Sequence, residues 1–184
     1  MAGTLFSTQS STADLAKIMH QIKQSNPAPA SFMVGDAGAT RAVFSTSDVT
    51  AITFNRQTGT APSFTASPLP LAALSVVPGA IGKIAYGKFS SPDYETSSKY
   101  IPATGTLNGQ PQVQGHNELI FQLFLPSGTK PANGWPVAIF GHGFTDSMYG
   151  APWAVASVFA SQGIATLSIN VVGHGGGPKG TLSV

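Results

Sequence analysis

Two short apolar runs near the end of the chain are each followed by a glycine-rich turn that contains a histidine. Residues 136–140 lead into the turn around His142, and residues 163–172 lead into the turn around His174. The interval between them is long enough for a helix, so the pattern predicts a strand, helix and strand of a parallel α/β sheet. Ligands and chemistry lie at the carboxyl ends of such strands. Both turns are therefore candidate site elements.

Two segments have the composition and spacing of helices. Residues 151–161 are apolar on one face, with Pro152 in the expected first turn and Gly163 as the expected stop. The other helix is predicted near the amino terminus and ends before Asn26, because four apolar residues recur there at helical spacing: Leu15, Ile18, Met19 and Ile22.

Strands are predicted where apolar residues alternate or run together between turn residues. The segment 81–89 is expected to end at the turn over residues 91–93, which contains a proline. The proline-rich segment 58–80 is expected to wrap over other structure. The remaining strands are predicted over residues 42–44, 49–54 and 118–125.

These elements predict an α/β fold with a mixed, mostly parallel sheet. The sheet would contain strands over residues 118–125, Val137–Phe140 and 165–171, with the helix 151–161 crossing between the last two in the right-handed sense. Residues 1–80 would form an irregular arm of helix and strand that packs against this sheet, and residues 81–184 would form the second domain.

Composition narrows the function classes. Charged residues make up 9% of the chain, far below the roughly 25% of an average domain, and 21 Gly with 14 Pro favour a turn-rich secreted or periplasmic protein. The net charge of +2 comes from scattered residues, which argues against nucleic acid as a partner. The absence of cysteine excludes disulfides and cysteine catalysis. No apolar run is long enough for a membrane span, and a leader peptide is expected to lie upstream.

The ordered series of strands and turns from residue 117 to residue 177 resembles the first third of an α/β-hydrolase catalytic domain. The type is that of bacterial secreted lipases and esterases. The turn before the strand, residues 131–136, and the segment 87–94 are also similar to this family. The resemblance implies a partial α/β-hydrolase-like sheet, with residues 81–184 as the amino-terminal part of the catalytic domain. It also implies serine-dependent hydrolysis of carboxylic esters.

Within this resemblance, the turn around His142 corresponds to the oxyanion-hole loop. Attack on an ester carbonyl creates negative charge on its oxygen, which preorganised N–H groups stabilise. Gly141 and Gly143 leave room for a substrate and tolerate positive φ, and the resemblance assigns the donating N–H to Phe144. His142 would brace the loop and not act as the catalytic base. The alternative is a tight strand-to-helix turn that needs glycine for steric reasons only.

The turn around His174 also matches an oxyanion-hole motif, because His174 is followed by three glycines. It follows the later strand, however, and the series from Asn170 to Gly175 resembles the family's Asp-x-x-Gly-x-Gly turn with Asn in place of Asp. We therefore interpret this turn as structural, shaping the pocket and packing the strand end.

The catalytic parts of the family are incomplete in this sequence, because no Gly-x-Ser-x-Gly occurs in it. The chain is thus expected to be the amino-terminal portion of a hydrolase that ends before the nucleophile elbow. The strand ending near Val171 would lack neighbours and would be covered by the missing carboxyl-terminal half or by another copy. The substrate would be a small-molecule or lipid ester. No cofactor is expected, and no metal either, because the four histidines share no short ligand spacing.

Two other functions remain open on the sequence. The chain could be a binding or structural module that keeps the scaffold without catalysis. It could also be a small hydrolase with an unorthodox nucleophile, Ser147, near His142 and Asp146. A downstream Gly-x-Ser-x-Gly in the encoding DNA would favour the hydrolase portion, and a stop codon after Val184 would favour these two alternatives.

Overall fold

The computed structural model describes residues 3–5 and 10–184, and these divide into two compact units. One unit comprises Met1–Pro29 with Ser90–Glu118, and the other comprises Ala30–Phe89 with Leu119–Val184. Residues 30–80 therefore belong to the same unit as the two His-Gly turns. The division of the chain into domains at residue 80 stays a prediction.

The described residues form two α-helices, three short 3₁₀ helices and ten strands. The α-helices are α1 (Ala13–Gln24) and α2 (Ala151–Ser161). The strands, in chain order, are β1 (Met33–Gly35), β2 (Thr40–Arg41), β3 (Val43–Ser45), β4 (Thr53–Gln57), β5 (Phe64–Pro68), β6 (Ile81–Asp93), β7 (Gly115–Pro126), β8 (Val137–Phe140), β9 (Ala165–Ile169) and β10 (Leu182–Ser183).

Helix α1 lies in the first unit, where polar side chains attach it to the loop between β6 and β7. Lys17 Nζ donates a hydrogen bond to the Gly105 carbonyl at 2.7 Å, and Thr104 Oγ1 donates to the Asp14 carboxylate. That hydrogen bond lowers the pKa of Asp14 below its ordinary value. The predicted helix is confirmed, although none of its residues is buried and Leu15 is largely exposed.

The main sheet of the second unit is mixed, with the strand order β3-β6-β7-β9-β8. Strand β8 runs parallel to β9, whereas β3 pairs antiparallel with β6 and β7 pairs antiparallel with β9. The prediction of a mostly parallel sheet is therefore wrong. A single crossover helix connects one parallel pair, and antiparallel neighbours need no such crossover. A second sheet has the order β10-β4-β5, and β1 pairs with β2.

Helix α2 covers residues 151–161 as predicted and connects the parallel strands β8 and β9. Pro152 occupies the first turn, where a missing N–H costs nothing, and Gly163 follows the last turn at φ +71°. The helix packs against β9 and against the 3₁₀ turn Leu71–Ser75. Residues 137–169 therefore form one strand–helix–strand unit.

The core beneath α2 combines aromatic packing with one buried amide. The rings of Phe124 and Trp153 meet edge to face with centroids 5.6 Å apart. Trp153 Nε1 donates to Gln122 Oε1 at 3.1 Å, and Gln122 Nε2 donates to the Met148 carbonyl at 2.9 Å. The amide of Gln122 is fully buried, so these bonds offset its desolvation. They also tie β7 to the residues just before α2.

Two predicted strand boundaries are wrong. Strand β6 does not end at the turn expected over residues 91–93 but continues through Pro92 to Asp93. A proline lacks only its own N–H, so it does not end a strand at a position that requires no ladder bond. The strand predicted over residues 49–54 is instead β4, which begins at Thr53 and ends at Gln57. Its extent is set by its pairing with β5.

Strand β8 is one of the two edge strands of the main sheet, and β3 is the other. The expectation that the strand ending near Val171 lacks neighbours is wrong, because β9 lies between β7 and β8. Strand β8 follows β9 at the end of the order, and its Val137 and Ile139 are 53% and 79% exposed. The exposed apolar residues therefore lie on β8, the neighbour of the strand for which the sequence predicted them.

The buried bond between Trp153 and Gln122 gives a stability prediction. Trp153→Phe should lower the free energy of unfolding by about 2 kcal/mol, since it leaves a void and a buried amide oxygen without its donor. Urea denaturation followed by circular dichroism measures the effect. Val158→Ala removes apolar volume from the exposed side of the same helix and should cost about 0.5 kcal/mol or less. Equal losses in the two variants would contradict this account of the core.

Candidate functional site

The two His-Gly turns lie beside each other because β8 and β9 are parallel and their carboxyl ends are in register. Val137 pairs with Ala165 and Phe140 with Ser168, so both strands deliver their following turns to the same end of the sheet. The imidazole rings of the two turns are 4.9 Å apart between centroids, at an interplanar angle of 54°. This end of the sheet is where the sequence placed the candidate site.

Each histidine accepts a hydrogen bond from the backbone of the other turn. The Val171 N–H donates to His142 Nε2 at 3.1 Å, and the Thr145 N–H donates to His174 Nε2 at 3.2 Å. A backbone N–H can only donate, so both Nε2 atoms are unprotonated. The Nδ1 atoms face the Gly143 and Val172 carbonyls and must carry the protons. Both rings thus have the hydrogen-bond pattern of the Nδ1–H tautomer and brace the turns reciprocally.

Asn170 adds a third link between the turns. Its Oδ1 accepts the Met148 N–H at 2.8 Å, which joins the end of β9 to the loop before α2. The side chain also lies directly against Gly175, where a β-carbon would overlap it and where φ is +71°. Glycine is therefore required at this position for both steric and conformational reasons.

The carboxylate of Asp146 caps the start of α2. Its Oδ2 accepts the Ala151 N–H at 3.0 Å, and its carboxylate lies against Gly150, where a β-carbon would overlap it. An acidic side chain here satisfies one of the free N–H groups of the helix end and offsets its positive dipole. The loop of residues 141–150 is thus held at both of its ends.

A cleft of about 620 Å³ opens beside these turns. One wall consists of residues 144–147, 149–150 and 173–176, and the other consists of the β4–β5 hairpin with residues 67–70. At its base the rings of Phe54 and Tyr149 pack with centroids 4.5 Å apart. Burial raises the pKa of the Tyr149 hydroxyl, so this side chain serves as a neutral wall. The volume is in the range of small-molecule sites.

The predicted site residues occupy different positions relative to the cleft. Phe144 lines it and is 90% exposed, with its ring 5.8 Å from that of His174. Its N–H has no hydrogen-bond partner among the described residues. Gly143 lies one residue from the cleft wall, and a β-carbon there would meet no atom within 4 Å. His142 holds the loop through the two bonds given above, and its part in catalysis stays a prediction.

The strained backbone position of the first turn is Thr145 and not one of its glycines. Neither Gly141 nor Gly143 has a positive φ; Thr145 has one instead, at +67°. A β-branched residue in this region is strained. The bond from its N–H to His174 Nε2 helps to hold it there.

The three residues of the unorthodox-nucleophile alternative do not form a hydrogen-bonded chain. Ser147 Oγ accepts the Tyr149 N–H at 3.2 Å, while Asp146 and His142 bond to the backbone groups already described. No hydrogen bond between the side chains of these three residues occurs in the described part of the chain. Their adjacency in sequence therefore does not bring them into the arrangement of a triad.

The wall formed by the β4–β5 hairpin was not predicted from the sequence. Phe54, Arg56 and Leu69 line the cleft there, although they lie far from the His-Gly turns along the chain. The local pattern predicts a strand but carries no signal for what the strand faces. Only long-range packing brings these residues to the site.

No family model, curated protein or solved structure matches this chain. Residues 3–5 and 10–184 contain no group of three or more His, Cys, Asp or Glu side chains placed to hold a metal ion. Within the same residues, neither helix has the length and apolar character needed to cross a membrane.

The reciprocal bracing predicts local effects of removing each histidine. His174→Ala should speed hydrogen exchange of the Thr145 amide about tenfold, and His142→Ala should do the same for Val171, because each loses its acceptor. Exchange followed by NMR measures both. His20→Ala, in α1, should change neither rate. Exchange at Thr145 and Val171 that is insensitive to these substitutions would show that the bracing bonds do not hold the turns.

Proposed function

We propose that this chain supplies the oxyanion-hole loop of a serine carboxylic-ester hydrolase of the esterase or lipase type, acting on lipid or small acyl esters. The observation that carries the proposal is that Phe144 lines the cleft and that its N–H has no hydrogen-bond partner among the described residues. An ester oxygen that gains negative charge needs such a preorganised donor.

The position of the loop supports the same function. In α/β-hydrolases one oxyanion donor comes from the loop between a strand and the following helix, and residues 141–150 connect β8 to α2. The reciprocal histidine bonds, Asn170 and Asp146 hold this loop in one conformation. A rigid loop stabilises the transition state without having to reorganise during the reaction.

The open edge at β8 supports a nucleophile supplied from outside the described residues. Ile139 is 79% exposed on this strand, which has β9 on one side. In the proposed hydrolase a further strand of the parent protein, or a second copy, covers this edge and brings the serine opposite Phe144. The mechanism is then attack by the serine, with the tetrahedral intermediate held partly by the Phe144 N–H.

The alternative is a non-catalytic module that binds small molecules in the same cleft. The absence of a hydrogen-bonded nucleophile and base among Ser147, His142 and Asp146 favours this alternative over a small hydrolase. The natural gene product, expressed from start to stop codon, separates the two. A hydrolase is labelled by a fluorophosphonate on a Gly-x-Ser-x-Gly serine and hydrolyses p-nitrophenyl esters. A product that does neither would exclude the proposed function.

Residues 1–184 alone should not turn over p-nitrophenyl esters by this mechanism. A loop that binds an oxyanion without nucleophile and base gives only weak residual catalysis. Stopped-flow absorbance with the purified chain measures burst and steady-state rates. A clear burst that Ser147→Ala abolishes would overturn this prediction and favour the unorthodox nucleophile.

A paired substitution tests the assignment of the two turns. Gly143→Val should slow acyl transfer in the complete hydrolase about a hundredfold, comparable to the loss of one oxyanion donor. The melting temperature should barely change, since the position is open. Gly175→Val should instead lower folding yield and melting temperature, because its β-carbon would overlap Asn170 at a positive φ.

Single-turnover rates and melting temperatures of both variants provide the comparison. If Gly175→Val abolishes turnover at unchanged stability while Gly143→Val leaves the rate intact, the roles of the two turns are reversed.

A further inference from the structure

The wall of the cleft opposite Phe144 carries one cationic side chain. Phe54 and Arg56 are two residues apart on β4, so they project from the same face of the strand. Phe54 packs on Tyr149 at the base of the cleft, and Arg56 also lines the cleft while remaining exposed. The guanidinium is thus placed beside an apolar surface and in contact with solvent.

Arg56 is free to bind a ligand. Its side chain has no ion pair, hydrogen bond or aromatic contact with the described residues. Arg41, the other arginine of the chain, lies over the Phe32 ring at 5.9 Å. A guanidinium that no carboxylate of the described residues neutralises presents a planar fork of donors suited to an oxyanion.

The acidic residue of the cleft does not cancel this charge. Asp146 is the one aspartate or glutamate among the described residues that line the cleft. Its carboxylate accepts the Ala151 N–H at the start of α2, where the helix dipole offsets a negative charge. Arg56 is likewise the one lysine or arginine in this lining. A single positive charge matches a carboxylate better than a doubly charged phosphate monoester.

The other residues that line the cleft indicate which chemical groups a bound carboxylate ligand would carry. Phe54, Leu69 and Phe144 are apolar, and residues 173–176 contribute three glycines and the imidazole of His174. The cleft of about 620 Å³ therefore has room for a short aliphatic chain beside these residues. An apolar body with one anionic end is complementary to this arrangement.

We propose that the cleft binds small organic monoanions, with an aliphatic chain against Phe54 and Leu69 and a carboxylate on Arg56. That such a molecule is also an ester substrate, in the form of the monoester of a dicarboxylic acid, rests on the proposed function. Binding itself does not, so the two claims are tested separately.

The experiment is a titration of the ¹⁵N-labelled 184-residue chain with hexanoate and with hexanamide, its neutral isostere. Hexanoate should bind at least tenfold more tightly, with amide shifts centred on Phe144, Tyr149 and Gly175. Arg56→Gln should remove the preference for hexanoate and leave hexanamide binding unchanged. Circular dichroism verifies that the variant is folded.

Arg41→Gln is the matched control, because it removes the same charge outside the cleft. It should keep the full preference for hexanoate. Equal binding of the two probes to the unaltered chain, shifts centred elsewhere, or an equal loss in Arg41→Gln would each overturn the proposal. Failure of the natural gene product to hydrolyse esters while Arg56-dependent binding persists would refute only the proposed function.

Discussion

The parallel pairing of β8 with β9 is the constraint on which the site depends. Because the two strands are level and point the same way, their following turns meet at one end of the sheet. A shift of one residue in this register would reverse the faces of β8 and separate His142 from the N–H of Val171. Helix α2 makes the parallel arrangement possible, and its burial against β9 holds it.

Reciprocal hydrogen bonds hold the two turns together. Each imidazole uses one nitrogen to accept from the opposite turn and the other to donate within its own turn. The bond from the Thr145 N–H to His174 Nε2 helps to offset the strain of Thr145 at positive φ. The buried amide of Gln122 fixes the loop from the other side through the Met148 carbonyl. Because these hydrogen bonds fix the loop, the Phe144 N–H is positioned before any ligand binds.

The cleft lies between this hydrogen-bonded loop and a hairpin from a distant part of the sequence. The loop supplies the Phe144 N–H and the hairpin supplies apolar surface and the Arg56 guanidinium, and neither polar group has a partner among the described residues. The exposed apolar positions of β8 lie at the edge of the same sheet. The proposed ester hydrolysis uses the loop, the proposed anion binding uses the hairpin, and either function can exist without the other.

The sequence by itself determined the local elements near the site. Helix α2, the strand Val137–Phe140 and the two glycine-rich turns follow from short-range periodicity, proline and glycine, because these act through neighbouring residues. Tertiary structure decided that β9 is interior and β8 is the edge, that antiparallel pairs dominate, and that Arg56 reaches the cleft. Those features depend on which strands pair and which faces pack. Such choices are made by contacts between residues far apart in the chain, which no local pattern records.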